Sequence, residues 1–199
     1  EEELFGGIAF EKFEDPAPKS TLDKCKSCDA VLLACVGDSK YDQLPRELRP
    51  ESGLLKLRSD LNLFANIRPV KIRNSLIKAS TLKKEVIKNV DLVVVRELTS
   101  GIYFGEPRGI IKNKNIERAF NTMVYTTDEI ERITEIAIKV AKKRTSKICS
   151  VDKANVLEVS QLWRKTVENM VNKHKEIHLS NMYVDNAAMQ LIRDPSQFD

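Results

Sequence analysis

Residues 91–109 read DLVVVRELTSGIYFGEPRG. The run DLVVV is rich in β-branched residues, which favour a pleated strand. Arg96 closes that strand. Three glycines then surround Tyr103, Glu106 and Arg108, and glycine lets backbone turn sharply and approach a ligand closely. Arginine grips carboxylate or phosphate through a planar fork of donors. A tyrosine held beside it can donate a proton. The segment therefore combines anion binding, an acid and a fitted backbone.

Working outward, strands alternate with helical patterns. Residues 30–36 (AVLLACV) read as a buried strand, 64–72 as extended, 148–151 as a strand and 177–184 as extended, with 120–125 as a further strand. The opening EEELFGG reads as a polar-to-apolar strand. Helices are expected over 54–63, 82–88, 127–144, 156–171 and 187–193. The helix over 127–144 is the clearest. Thr127 or Asp128 caps it, and Ile130, Ile133, Ala137, Val140 and Ala141 form one apolar stripe. Lys142, Lys143 and Arg144 crowd its last turn, on a solvated face, as the helix dipole favours. Strands separated by helices imply an α/β protein with a mixed sheet flanked by helices.

Composition narrows the function classes. The chain has 199 residues and 42% apolar content, enough for a real core. Its 33 basic and 29 acidic side chains are well mixed, and a net charge of +4 lacks the concentrated basic patch of a nucleic-acid binder. No apolar run reaches the roughly 20 residues of a membrane span, so neither nucleic acid nor membrane is an expected partner. The four cysteines do not make a dense disulfide framework, which points to a reducing, cytoplasmic setting. Cys25 and Cys28 form a CxxC without two further zinc ligands close by, and read as incidental thiols. His174 and His178 do not read as a metal pair. No glycine-rich nucleotide fingerprint is present. Glu1 at the start and Phe198-Asp199 at the end lead us to expect an internal segment of a longer protein.

Three arginines stand beside apolar segments: Arg58 in LLKLR, Arg68 in ANIRP and Arg96 in VVVREL. Each alone is most simply a surface or ion-paired arginine. Arg68 and Arg96 lie at or beside strand ends, where α/β proteins place ligands. Together the three suit a di- or tricarboxylate. Lys153, in SVDKANVLE, stands where a strand meets a helix, as either a snorkelling lysine or a base. Asp185 suits either a helix cap or a magnesium ligand.

The motifs LPRELRPESGLLKLR (44–58), LFANIRP (63–69), VRELTSGIYFGEPRG (95–109), CSVDKANVLEVSQLWRKTV (149–167) and NMYVDNAAMQLIRDPSQFD (181–199) together resemble the 3-isopropylmalate dehydrogenases, within the isocitrate/isopropylmalate dehydrogenase family. The resemblance runs through nearly the whole chain, in the family's order and spacing. It implies NAD-dependent oxidation and decarboxylation of 3-isopropylmalate in leucine biosynthesis, with Mg²⁺ or Mn²⁺. By it, Arg58, Arg68 and Arg96 hold carboxylates, Tyr103 is the acid, Lys153 is the base through water, and Asp185 is a metal and substrate carboxylate. Leu54, Leu55 and the partner subunit's copy of Val156 would receive the isopropyl group, where isocitrate needs a polar partner. Asp38 and Glu51 fall near NAD. Asp38-Ser39 replaces a Gly-Pro-like pair, and Ser100 a glycine.

The resemblance further implies a homodimer with a shared active site, to which Lys153 and Asp185 cross from the partner. Residues 1–62 would belong to the dinucleotide-side domain. Residues 63–199 would form the substrate and dimerisation domain, with an arm near 106–122. The alternatives are a non-catalytic dimerising segment, or a sibling dehydrogenase acting on homoisocitrate or on tartrate or malate. The isolated segment is expected to be inactive.

Overall fold

A computed structural model describes all 199 residues. They form two compact units, residues 1–64 and 65–199. The first contains helices α1 (Gly7–Phe13), α2 (Lys19–Ser27) and α3 (Pro50–Asp60). Proline at the first position of α3 starts it earlier than residue 54, because proline needs no N–H partner there and its φ suits a helix. Ala17, Leu22 and Leu57 form the core of this unit, with Phe5, Cys25 and Leu61 packed against it.

Two strand expectations fail in this unit. Residues 30–36 belong to no strand and are mostly exposed, with Leu32 wholly so. EEELFGG is not a strand either; Leu4 accepts a hydrogen bond from Thr21 (3.2 Å) and the chain turns into α1. The reason is common to both. A short apolar run proposes a strand, but only a neighbouring strand satisfies its N–H and C=O groups, and this unit has none.

The second unit begins with β1 (Ala65–Lys71), α4 (Lys84–Ile87) and β2 (Asp91–Glu97). β1 and β2 pair antiparallel, with Arg68 opposite Val94 and Asn66 opposite Arg96. An exposed hairpin follows, β3 (Gly109–Asn113) and β4 (Ile116–Phe120). The strand expected over 120–125 thus lies earlier, and 121–126 is the connection into α5 (Thr127–Ala141). Thr126, not Thr127 or Asp128, caps α5. Its hydroxyl accepts from the Glu129 amide while the Glu129 carboxylate accepts from the Thr126 amide. This reciprocal box satisfies two orphan donors.

The chain continues through β5 (Lys147–Asp152), α6 (Glu158–Val171), β6 (His178–Tyr183) and α7 (Val184–Arg193). β5 and β6 are parallel, with Asp152 opposite Tyr183, so α6 is the crossover a parallel pair requires. The architecture is α/β, with antiparallel and parallel strand pairs in three two-stranded sheets. The apolar stripe of α5 divides. Ile130, Ile138 and Ala141 join Val167, Val171 and Ile177 in the core against α6. Ile133, Ala137 and Val140 line an apolar cleft of about 390 Å³ between β2 and β5.

Arg144 departs from the solvated face expected of it. It donates to the Asp91 carbonyl (2.6 Å), the Asp91 carboxylate (2.9 Å) and the Asp199 carboxylate (3.0 Å). Lys71 and then Arg144 hold the Asp91 carboxyl below its usual range. For Asp199 burial works the other way, but the Thr145 hydrogen bonds and Arg144 prevail, and its carboxyl is lowered too. A depressed carboxyl stabilises the fold above its unfolded pKa of about 3.9 and loses that contribution as pH falls through the folded value. The urea midpoint difference between wild type and Asp91→Asn is therefore expected to be constant near neutrality and to shrink below about pH 4. A difference independent of pH down to about 3 would count against the ion pair.

Candidate active site

The parity of the β1–β2 ladder places Arg68 and Arg96 on one face. Asn66 is opposite Arg96, and Arg68 is two residues from Asn66, so the two arginines are diagonal neighbours. Arg68 donates through Nε to Asn66 Oδ1 (2.5 Å), which aims its guanidinium along that face. Arg96 lies over the ring of Tyr103, 5.6 Å from its centroid. This distance suits a cation–π contact. Tyr103 is about half exposed.

The turn carrying Tyr103 is held by backbone. Gly101 has φ of 74°, a left-handed conformation that favours glycine. Its amide donates to the Val124 carbonyl (2.9 Å), and its own carbonyl accepts from the Gly105 amide (2.8 Å). A Cβ on Gly105 would sit 2.2 Å from the Thr122 carbonyl oxygen, which is main chain and cannot swing aside. Gly105→Ala is thus expected to cost about 1–3 kcal/mol, as overpacking does, and to displace Tyr103. A thermal midpoint equal to wild type would contradict this.

Arg108, a possible anion grip in the sequence, is used internally. It donates to the carbonyls of Gly105 (2.8 Å) and Ile102 (3.4 Å), bracing the turn. Ser100, in place of the expected glycine, is buried, and its amide donates to Glu97 Oε2 (2.9 Å).

A second cluster stands at the carboxyl ends of β5 and β6. Lys153 follows the last residue of β5, and Asp185 is the second residue of α7, immediately past β6. Parallel pairing brings these two ends together, and Lys153 Nζ lies 2.5 Å from Asp185 Oδ1. The lysine holds the Asp185 carboxyl below its usual range. Asp185 does not cap α7; Tyr183 occupies that position without a side-chain bond. Its carboxylate is two-thirds exposed, and a hard divalent ion binds such an oxygen while keeping waters. No group of three or more His, Cys, Asp and Glu side chains is clustered for a metal in this chain. The CxxC cysteines are free thiols. His174 contacts Lys142 (3.1 Å), and His178 begins β6.

In the first unit, Leu54, Leu55 and Arg58 lie half-buried on α3, and Glu51 is in its first turn. The Glu51 carboxylate lies over Gly37; a Cβ on that glycine would be 2.7 Å from Glu51 Oε1. Asp38 accepts from the Lys40 amide (3.0 Å), which turns its carboxylate onto its own loop. In the second unit, Val156 is exposed ahead of α6.

Sequence reasoning missed four charged residues that build these clusters. Glu97, the last residue of β2, is buried and bonded to Arg132 of α5 (3.0 Å). Asp152, the last residue of β5, is buried and bonded to Arg164 of α6 (2.8 Å). One signal was legible: an acid closing an apolar strand, in VVVRE and in CSVD.

Comparison with known proteins adds relationships to this geometry. The family model described as isocitrate/isopropylmalate dehydrogenase matches residues 1–199. A 3-isopropylmalate dehydrogenase of Prochlorococcus marinus (strain MIT 9312) is 75% identical over 198 residues, covering 100% of this chain and 56% of that protein. The protein of that name from Synechococcus sp. (strain CC9902) is 59% identical, again with 56% of its length covered. The chain therefore spans about half the length of the curated relatives it matches. Among solved structures, an isocitrate dehydrogenase from Methylococcus capsulatus is similar with a TM-score of 0.76 and 30% identity, covering 98% of this chain and 54% of that one. The TT0538 protein from Thermus thermophilus shares the fold, with a TM-score of 0.77 at 22% identity and 37% of its length covered.

Proposed function

This chain belongs to the isocitrate/isopropylmalate dehydrogenase family, and from that premise we propose that the protein carrying it oxidises and decarboxylates 3-isopropylmalate to 4-methyl-2-oxopentanoate, in leucine biosynthesis. The observation that carries the reading is Tyr103 resting on Arg96, on a ribbon face shared with Arg68. An acid lies there beside one cation, Arg96, with Arg68 on the same face of the ribbon.

Arg68 and Arg96 hold carboxylate of the substrate, and Arg58 on α3 of the first unit is a further carboxylate-binding residue by the family resemblance. Lys153, through water, takes the proton of the C2 hydroxyl as that carbon is oxidised. The C3 carboxylate then leaves as CO₂, and its bonding electrons pass into an enolate. Tyr103 protonates C3 of that enolate and is itself reprotonated from solvent. When bound, NAD⁺ accepts the C2 hydride and Mg²⁺ or Mn²⁺ polarises the C2 oxygen. Asp185 suits the metal because its carboxylate is two-thirds exposed. Glu51 would meet the nicotinamide end of NAD, and Asp38, whose carboxylate accepts from the Lys40 amide, would lie in a loop near NAD.

Leu54, Leu55 and the partner subunit's Val156 offer apolar contact to an isopropyl group. A third carboxylate would be left without a partner there. The β3–β4 hairpin, with Ile110, Ile111 and Ile116 exposed, suits an arm that pairs with its copy in a homodimer. Lys153 and Asp185 would then serve the partner's site. No helix is long and apolar enough to cross a membrane, and we take the enzyme to act in the cytoplasm. The test is NADH formation by the complete polypeptide containing these residues, with 3-isopropylmalate, isocitrate, homoisocitrate, tartrate and malate compared. Preference for 3-isopropylmalate is expected. Preference for isocitrate would overturn the assignment of Leu54 and Leu55.

A further inference from the structure

Two buried carboxylates terminate two strands in the same manner. Glu97 closes β2 with its side chain only 1% exposed. It accepts from the amides of Thr99 (3.2 Å) and Ser100 (2.9 Å), from the Thr99 hydroxyl (3.0 Å) and from Arg132 of α5 (3.0 Å). Asp152 closes β5 with its side chain 2% exposed. It accepts from the Ala154 amide (2.9 Å) and from both Nε (2.9 Å) and Nη2 (2.8 Å) of Arg164 on α6. Each carboxylate ties down the backbone just past its strand, and an arginine from the following helix locks it.

Each also adjoins a residue of the proposed chemistry. Arg96 precedes Glu97, and Tyr103 follows in the turn that Glu97 anchors. Lys153 follows Asp152 directly and lies between it and the bonded Ala154 amide. Arg164 reaches further. Its guanidinium lies 5.0 Å from the ring centroid of Tyr183, the last residue of β6 and two before Asp185. One arginine thus contacts the ends of both parallel strands, and those ends present Lys153 and Asp185.

A buried ion pair is seldom the cheapest way to stabilise a core, because desolvation offsets much of the attraction. Its directionality is what an apolar contact lacks. A bidentate arginine fixes the plane of a carboxylate, and reacting groups lose rate steeply when displaced by about an ångström.

We propose that Glu97–Arg132 and Asp152–Arg164 are positioning pairs, the first for Arg96 and Tyr103 and the second for Lys153 and Asp185. None of the four touches the substrate; each acts through its neighbour. The assignment rests on the proposed function, and the two predict different kinetic signatures for the two pairs.

The experiment compares Arg132→Ala, Arg132→Lys, Arg164→Ala and Arg164→Lys in the complete polypeptide. Arg164→Ala is expected to lower kcat at least about tenfold, with KM for 3-isopropylmalate changed less than about threefold. Arg132→Ala is expected instead to raise that KM at least about tenfold, through Arg96, and to lower kcat. Each lysine variant recovers part of the loss. Amide exchange, which needs no turnover, is expected to quicken at Ala154 in Arg164→Ala and at Thr99 and Ser100 in Arg132→Ala. Parallel loss of kcat in both variants with unchanged KM would mean a smaller folded fraction only, and would overturn the proposal. So would unchanged exchange at these amides. A wild type without turnover of 3-isopropylmalate but with the exchange pattern intact would instead defeat the proposed function and leave the two clamps standing.

Discussion

Lys153→Met in the complete polypeptide is expected to lower kcat on 3-isopropylmalate about 10²–10⁴-fold, the range typical of a positioned general base. Methionine keeps the length and the apolar stem but has no proton-accepting nitrogen. The variant also leaves Asp185 without the lysine that lies 2.5 Å away. That pair is solvent-exposed on the Asp185 side, so its loss should change stability little, and the kinetic effect should dominate. The lysine holds the Asp185 carboxyl low. Removing it should raise that carboxyl toward its ordinary range of about 3.9, so protonation should compete with metal binding only near or below about pH 4. Steady-state kinetics with Mg²⁺ and Mn²⁺ titrations checks both parts. A kcat within about threefold of wild type would remove Lys153 from the proton transfer.

The second large effect is on the fold. Ile130 is fully buried where α5 meets α6, among Ile138, Ala141, Val167 and Val171. Ile130→Ala should cost about 2–5 kcal/mol, the transfer energy of the lost atoms plus the cavity they leave. Collapse around the cavity is restricted because the Thr126–Glu129 capping box fixes the first turn of α5. Arg132, one half-turn further on, would move with that helix, so the substrate KM should rise even among molecules that remain folded. Urea denaturation gives the stability change. A loss under about 1 kcal/mol would mean that α5 is not held by this core.

Much of the second unit was legible because its signals are local. The 3.6-residue stripe over 127–144 and the β-branched run DLVVV each report their own element. Tyr103 between glycines advertised a fitted turn. Lys153 and Asp185, 32 residues apart, could be named from the sequence as candidates but not as a pair. Parallel pairing of β5 with β6 brings them together. Arg108 misled for the same reason. Its composition suited an anion, but the carbonyls it braces appear only once the turn is closed.

By itself, the sequence determined the periodic elements, the α/β class, the family, and the identity of the chemical groups available to a ligand. Those depend on residue type and near-neighbour spacing, which a linear string contains. Only the tertiary structure decided that 30–36 has no strand partner, that Arg68 and Arg96 share a face, and that Glu97 and Asp152 are locked by Arg132 and Arg164. Each of these turns on a hydrogen-bond partner from another element. An extended run is a strand only if another strand accepts its ladder, and a strand-end acid can remain buried and charged only if a cation arrives to meet it.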